Sequence, residues 1–350
     1  MSMDSDAPFW PPLLAKLIRA EELTAEEAGL ALGTILDGRA TPAQIAGFAV
    51  ALRAKGETPA EMAALVRTMM RYAERVEVAG PLLDTCGTGG DRSCTINVST
   101  LAALVAAGAG ARVAKHGNRS ASSACGSADL LESLGVAVEL GPAGVARCIE
   151  EAGIGFCFAP RYHPALRHAL PTRRELGVAT TFNFLGPLAN PAGARHQTIG
   201  VGDAAMAERM VATLVELGTE RALVFFGHDG LDELTTTTTS AVWDVVDGDV
   251  HFSNLDPTEL GIPLALPEDL VGGDPVDNAR LALAVLDGEI GPRRDVVVLN
   301  AAAALLAAGL VDDLAGGLEA AAASLDGGRA AAALDQLVKV SQEAAEAEAG

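Results

Sequence analysis

The stretch 84–100, DTCGTGGDRSCTINVST, constrains this chain more than any other. An apolar run at 78–83 leads into Gly87, Gly89 and Gly90, then Asp91. An Asn–Val–Ser–Thr sequence then opens an apolar helical stretch at 101–107. Glycines let backbone N–H groups approach a ligand that a Cβ would hold off. A helix N-terminus adds unpaired N–H donors and a partial positive charge. Strand, glycine turn and helix start, in that order, predict a seat for phosphate or pyrophosphate. The spacing differs from GxxxxGK[ST], so this is not a Walker loop. A tight connection with no ligand is the alternative reading of such a turn.

Charge narrows the ligand. With 350 residues there is room for roughly two domains, and a 49% hydrophobic content makes the chain globular. The net charge is −21, so the chain lacks the basic face that nucleic acid or an anionic membrane requires. A small anion can still bind locally through backbone donors, a metal ion and a few Arg or Lys. The five cysteines (Cys86, Cys94, Cys125, Cys148 and Cys157) form no CxxC pair, and their number is odd. Neither a disulfide framework nor a zinc site is expected, and they read as small buried hydrophobes. Residues 1–10 carry no secretory pattern. The longest apolar stretch, 296–311, is shorter than a bilayer span and is interrupted by Asn300. The expected compartment is the cytoplasm, with no membrane partner.

Periodicity divides the chain near residue 80. Before it, three signatures pair a capping threonine with Glu or Gln three residues on: Thr24 with Glu27, Thr41 with Gln44, Thr58 with Glu61. Pro42 and Pro59 occupy first helical positions, and Gly38 and Gly56 stand where helices should stop. This predicts a helical unit. After residue 80, short apolar runs at 112–114, 154–158, 197–201, 222–226, 242–245 and 296–299 read as strands. They alternate with helical stretches at 101–107, 128–134, 143–152 and 204–217, and from Leu318 an Ala-rich helix ends in a frayed acidic tail. Such alternation predicts an α/β domain with a mixed, mainly parallel sheet, whose ligands bind beyond the carboxyl ends of strands.

Three further motifs carry chemistry. KHGNRSASSACGSADLLESLG (115–135) gathers Lys115, Arg119, Asn118 and several serines around glycines, with Ser127 as the expected N-cap and Asp129 in the first helical turn. Lys115 and the hydroxyls complete a phosphate cage in this reading; a polar surface loop is the alternative. PTRRELG (171–177) offers guanidinium groups for a carboxylate, or a plain surface pair with Glu175. GHDGLDEL (227–234) places Asp229, Asp232 and Glu233 after a strand, as magnesium ligands or as a solvated acidic turn. His116, His163 and His168 lack a two-His metal spacing, and His116 is the histidine most suited to function.

Taken in order, DTCGTGGD…TINVST, KHGNRS…GSADLLESLG, PTRRELG…FNFLGPLANP and GLDEL resemble the anthranilate phosphoribosyltransferases, over roughly residues 10–340. The resemblance implies a small helical N-terminal domain, 1–79, with about 164–194 folding back onto it. It implies a larger α/β phosphoribosyl-binding domain, 80–163 and 195–350. It implies transfer of the phosphoribosyl group from phosphoribosyl pyrophosphate (PRPP) to anthranilate, in tryptophan biosynthesis, by a homodimer joined through the helical domains. Carried over by position, the PRPP contacts are Gly87, Gly90, Asp91, Thr95, Asn97, Val98, Ser99, Thr100, Lys115, His116, Gly117, Asn118, Arg119, Ser120, Ala121, Ser122, Ser123 and Ser127. Gly87, Asn118 and Arg173 contact anthranilate, and Ser99, Asp232 and Glu233 hold two Mg2+ ions per monomer. His116 is the candidate proton acceptor.

The chain departs from the family pattern at TTTTTS (235–240), where Gly-Pro is common, at Ala124–Cys125, where Lys-Ser is frequent, and at Arg92, where Gly is common. A pyrimidine nucleoside phosphorylase shares the fold type and a related glycine loop, but the HGNR, RRELG and DE motifs favour the transferase.

Overall fold

The computed structural model describes residues 9–91, 93–120 and 124–350. Arg92 and the expected PRPP contacts Ala121, Ser122 and Ser123 lie outside the described residues.

The first helices are α1 (Trp10–Ile18), α2 (Ala25–Leu36), α3 (Pro42–Lys55) and α4 (Pro59–Arg71). Local chemistry sets their starts. Thr24, Thr41 and Thr58 each accept the N–H three residues on, and the Glu or Gln there returns to the threonine N–H, so α2, α3 and α4 all begin with full capping boxes. Gly56, at φ +88°, ends α3 in a conformation that side chains disfavour.

The second part alternates as expected: β1 (Leu83–Gly87), α5 (Val98–Gly108), β2 (Val113–Gly117), α6 (Ser127–Ser133), α7 (Pro142–Ala152), β3 (Ile154–Phe158) and α8 (Ala159–Tyr162). After α9 (Leu170–Leu176) and α10 (Phe182–Leu185) come β4 (His196–Gly200), α11 (Ala204–Leu217), β5 (Arg221–Gly227), β6 (Ser240–Val246) and β7 (Asp249–Leu255). Four helices follow: α12 (Pro275–Leu286), α13 (Pro292–Ala307), α14 (Leu314–Asp326) and α15 (Arg329–Ala349). The described strands form one sheet in the order β3-β2-β1-β4-β5-β6-β7. β1 to β5 run parallel, and β6 and β7 are antiparallel.

Successive residues of the central strands face opposite cores. Leu223 and Phe225 join the core under α5 and α13, whereas Ala222 and Val224 join a core shared with α1 to α4. That second core also takes Phe182, Phe184, Leu185 and Leu188, while α9 rests on α3 and α10 on α4.

Three sequence expectations are corrected. Residues 296–299, read as a strand, lie within α13, where Pro292 opens the helix and the alanines after Asn300 extend it. A short apolar run fits a buried helix as well as a buried strand, and here the length decides. The run at 78–83 reaches the sheet only at Leu83. The acidic tail continues as helix to Ala349.

Candidate active site

β1, β4 and β5 all end in glycine, at Gly87, Gly200 and Gly227. The segment bearing Asp232 and Glu233 crosses two of these ends. A Cβ at Gly87 would stand 2.3 Å from Asp232 Oδ2, and one at Gly200 only 1.6 Å from the Asp232 carbonyl oxygen. The glycines therefore let the acidic segment lie directly on the sheet's carboxyl edge. Asp232 Oδ2 accepts the Gly89 N–H at 2.7 Å, and Glu233 Oε1 accepts the Ser99 N–H at 3.1 Å.

Both carboxyls are buried. Burial, then the nearby Asp91 carboxylate, pushes the Asp232 pKa up to about 7, against the pull of the Gly89 N–H. Burial and the Asp232 charge raise Glu233 well above the ordinary range, with Lys115 opposing. Acids gathered in a dry site disfavour each other's ionised forms unless a cation joins them. Among the described residues, no three Asp, Glu, His or Cys side chains converge on one metal position. A magnesium ion taking one or two protein carboxylates, waters and substrate phosphate fits such a partial donor set.

The start of α5 differs from the expected anion seat. The Val98 N–H donates to Ile96 O at 2.8 Å, the Ser99 N–H to Glu233, and the Thr100 and Leu101 N–H groups to Asn97 O at 3.1 Å. Its donors are engaged, and Glu233 occupies the positive end of the helix. The Val98 and Thr100 side chains are buried. Asn97 is also committed: Nδ2 donates to Cys125 O at 3.0 Å, and Oδ1 accepts Asn278 Nδ2 at 2.9 Å. Asp91 binds the Ser93 hydroxyl at 2.5 Å, and Thr95 forms a single bridge with Val271. Gly90 has no hydrogen-bond partner among the described residues, and nothing lies within 4 Å of where its Cβ would be. The Thr88 N–H donates to Gly200 O at 2.9 Å and the Gly89 N–H to Asp232, so among the described residues of the turn the open donor is the Gly90 N–H.

Lys115 is only 2% exposed. Its Nζ donates to Thr85 O at 2.6 Å and lies 3.4 Å from Ser99 Oγ, bracing β1 against α5 from inside. Burial lowers its pKa, opposed chiefly by Asp84. His116 is buried too. Its N–H donates to Asp84 Oδ1 at 2.9 Å, and its Nδ1 sits 3.1 Å from Gly186 O, so Nδ1 carries the proton in the neutral ring. Burial and the neighbouring His163 push its pKa down to about 3. That makes His116 a poor proton acceptor and a good neutral strut to the segment after α10.

The loop after β2 folds onto α6. The Asn118 carbonyl accepts the Ala128 N–H and the Ser127 hydroxyl, both at 3.2 Å, and Asn118 Oδ1 accepts the Arg119 N–H at 2.7 Å. Arg119 pairs with Asp129 at 3.1 Å and with Glu132, and lies 5.5 Å over the Phe158 ring. Ser127 is not the N-cap. Gly126 takes that position, and Asp129 accepts the Gly126 N–H at 2.9 Å and the Ser120 N–H at 3.0 Å. Ser127 instead turns its hydroxyl to Asn118 O, 2.2 Å from where a Gly117 Cβ would be.

Arg173 stands apart on α9. Its half-buried guanidinium lies 5.5 Å from the Phe182 ring centre, and burial lowers its pKa. Among the described residues it has no acidic partner, and Glu175 does not pair with it. A half-buried cation without a carboxylate suits a ligand that brings one.

Two family models match the chain: the α/β domain of a glycosyl transferase family over residues 79–331 and its helical bundle domain over 11–73. An anthranilate phosphoribosyltransferase of Thermobifida fusca is 54% identical over 338 residues, covering 95% of this chain and 97% of the relative. The crystal structure of the Thermus thermophilus anthranilate phosphoribosyltransferase superposes with a TM-score of 0.90 at 44% identity, covering 94% of this chain and 99% of that one. The chain belongs to the anthranilate phosphoribosyltransferase family. The Saccharomyces cerevisiae anthranilate phosphoribosyltransferase, solved in complex with PRPP and Mg, matches with a TM-score of 0.89 at 25% identity, covering 97% of this chain and 99% of that one.

For a phosphoribosyltransferase of this family, the contacts group the expected site residues unevenly. Gly87, Ser99, Lys115, Asp232 and Glu233 form one connected set, to which the structure adds the Gly89 N–H, and Asn118, Arg119, Ser120 and Ser127 form another. Arg173 shares no hydrogen bond with either. Asp229 is not available as a metal ligand. Its Oδ2 accepts the Thr235 hydroxyl at 2.7 Å and the Thr237 hydroxyl at 2.5 Å, and its Oδ1 accepts the Leu231 N–H at 3.1 Å. The TTTTTS segment is thereby folded onto the acidic loop. The sequence assigns no role to Glu57, Asn190 or Asn300. Asn190, whose Nδ2 donates to Asp84 Oδ2 at 2.8 Å and to Ala114 O at 2.7 Å, lies in the FNFLGPLANP motif, and Asn300 stands out as the lone polar residue in an apolar stretch.

Proposed function

We propose that this chain transfers the phosphoribosyl group of PRPP to the amine of anthranilate, giving N-(5-phosphoribosyl)anthranilate and pyrophosphate, in tryptophan biosynthesis. The observation that carries the reading is the buried Asp232–Glu233 pair laid over Gly87 and Gly200, beside the open Gly90 amide. In this reading the PRPP contacts are Gly87, Gly90, Asp91, Thr95, Asn97 to Thr100, Lys115 to Ser123, and Ser127. Gly87, Asn118 and Arg173 meet anthranilate, and Ser99, Asp232 and Glu233 hold two Mg2+ ions. Residues 1–79 with 164–194 make one domain and the remainder the other. The protein works in the cytoplasm as a homodimer through the helical domains.

Magnesium bound there supplies the charge that stabilises departing pyrophosphate. The protein's own part is positioning and fixed dipoles. The open Gly90 amide faces the diphosphate, and Arg173 grips the anthranilate carboxylate. The amine nitrogen forms its bond to ribose C1 as the C1–O bond to pyrophosphate breaks, with that electron pair leaving on the oxygen. An aromatic amine is neutral at pH 7 and needs no activating base, and the anilinium proton formed on attack is acidic enough to pass to water. His116 is therefore assigned a holding role.

Loss of anthranilate fluorescence on adding PRPP, with and without magnesium, tests this. No loss under either condition would remove the assignment. Asp232→Ala with Glu233→Ala should lower turnover by a factor on the order of 100 or more; unchanged turnover would exclude the metal role.

A further inference from the structure

Asn300 lies in the middle of α13, 3% exposed, in a run otherwise made of Val, Leu and Ala. Its side chain reaches the residue that follows the acidic pair. Oδ1 accepts the Leu234 N–H at 3.0 Å, and Nδ2 donates to the Leu234 carbonyl at 2.8 Å, with a second bond to Val296 O at 2.8 Å. One amide thus serves both backbone groups of Leu234, as a neighbouring strand would. No described strand covers 228–239, and Leu234 is fully buried, so water cannot take that place. A buried N–H and C=O left without partners would each bear the full cost of being taken out of water.

The acidic segment is held at several places, the Thr235 N–H to Ser240 Oγ at 3.1 Å among them. The Asp232 backbone rests on Gly200, Thr235 and Thr237 bind Asp229, and Asn300 fixes Leu234 between them. Gly200 supports the backbone on the Asp232 side of Glu233 and Asn300 fixes it on the Leu234 side, and the Glu233 carboxylate must also meet the Ser99 N–H. A freed Leu234 backbone would let the Glu233 carboxylate swing relative to Asp232.

We propose that Asn300 is a positioning residue for the divalent-cation site, setting the spacing of the Asp232 and Glu233 carboxylates through the backbone of Leu234. The proposal rests on the reading of these carboxylates as metal ligands. It explains why an apolar, Ala-rich helix carries one amide at this place: Leu would fill the same volume and satisfy neither backbone group.

The test is a thermal-shift titration of MgCl2 at fixed PRPP without anthranilate, so that no turnover contributes. The wild-type protein is compared with Asn300→Ala, Asn300→Ser and Ser324→Ala. Ser324 is buried and bonds Val105 O at 2.9 Å, far in sequence from the acidic loop, and controls for simple destabilisation. The expected result is a magnesium midpoint raised roughly tenfold in Asn300→Ala, less in Asn300→Ser, whose hydroxyl meets one Leu234 group, and unchanged in Ser324→Ala. The KM for anthranilate should stay within about twofold in both Asn300 variants, since the Arg173 side of the site is untouched. A wild-type midpoint retained in Asn300→Ala would overturn the proposal. Failure of both Asn300 variants to fold would also overturn it, making Asn300 a folding residue. If the wild type itself showed no magnesium-dependent shift with PRPP, the metal reading would fall instead.

Discussion

The hydroxyl of Thr181 donates to Glu57 Oε1 at 2.5 Å, joining buried residues 124 positions apart in sequence. Glu57 Oε2 receives Arg209 of α11 at 3.3 Å and Arg53 of α3 at 3.4 Å. Thr181 precedes Phe182, the ring beneath the Arg173 guanidinium. One buried carboxylate thus ties the helical elements, α11 and the floor of the proposed anthranilate site together.

Thr181→Val keeps the shape and removes the hydroxyl. It should cost about 2 kcal/mol of stability, the usual size for a hydrogen bond to a charged group. It should raise the KM for anthranilate several-fold more than that for PRPP, and Thr181→Ser should restore both. Urea unfolding and steady-state kinetics measure these; equal changes in the two KM values would count against the link to Arg173.

Arg173→Ala should raise the KM for anthranilate by roughly tenfold or more, the scale of a lost charge-assisted pair, and leave that for PRPP nearly intact. Arg173→Lys should restore little, because an ammonium neither forks onto a carboxylate nor stacks flat on Phe182. Equal effects on both substrates would make Arg173 structural.

His116 and His163 give the fold an acid limit. Burial lowers the pKa of His163 to about 4 and that of His116 to about 3, below the ordinary value of 6.5. Their stabilising contribution is present above pH 6.5 and is lost as pH falls toward the folded values, by about 1.4 kcal/mol per pH unit for each. Asp84, raised by burial to about 6, acts in the opposite sense, favouring the fold below its unfolded value and losing that contribution as pH rises to 6. Asp232 and Glu233, also raised by burial, act in the same sense as Asp84, so the histidine contribution is read from the difference between wild type and a histidine variant. His163→Gln, which can still donate to Ala189 O, should gain stability relative to wild type as pH falls from 6 to 4, by about 1.4 kcal/mol per pH unit. Urea midpoints across this range decide it, and parallel curves for the two proteins would refute the assignment.

Gly200→Ala should disrupt the site from below. Its Cβ would meet the Asp232 carbonyl oxygen at 1.6 Å and the carbonyl carbon at 2.4 Å, and backbone cannot rotate away as a side chain can. A loss of roughly 3 kcal/mol or more, with loss of turnover, is expected. Gly186→Ala is the matched control: its φ is −54° and nothing lies within 4 Å of its Cβ, so calorimetric melting should barely change. Similar melting of the two variants would mean the acidic loop yields easily.

The helical unit was legible because capping boxes act over three residues, and Thr24, Thr41 and Thr58 carry their partners with them. Most of the α/β alternation was legible too, but not 296–299, where four apolar residues carry no period that separates helix from strand, nor the largely exposed edge strand β7. Glycine turn, acidic pair and lone guanidinium were visible as residue types at strand and helix ends.

What the sequence alone could not decide is which partner each polar group finds. The amides at the start of α5 looked free for phosphate, yet Glu233 claims the Ser99 N–H from 134 residues away. Lys115 reads as part of a phosphate cage and is sealed beneath β1 by Thr85 O. Asn300 reads as an interruption of an apolar stretch and holds the backbone beside the acidic pair. Helix caps and turns follow from neighbours in the chain, whose competition for donors is local. Buried donors and acceptors must be satisfied by whatever the packed chain brings past them, and only the path of residues 228–240 over the ends of β1 and β4 determined that.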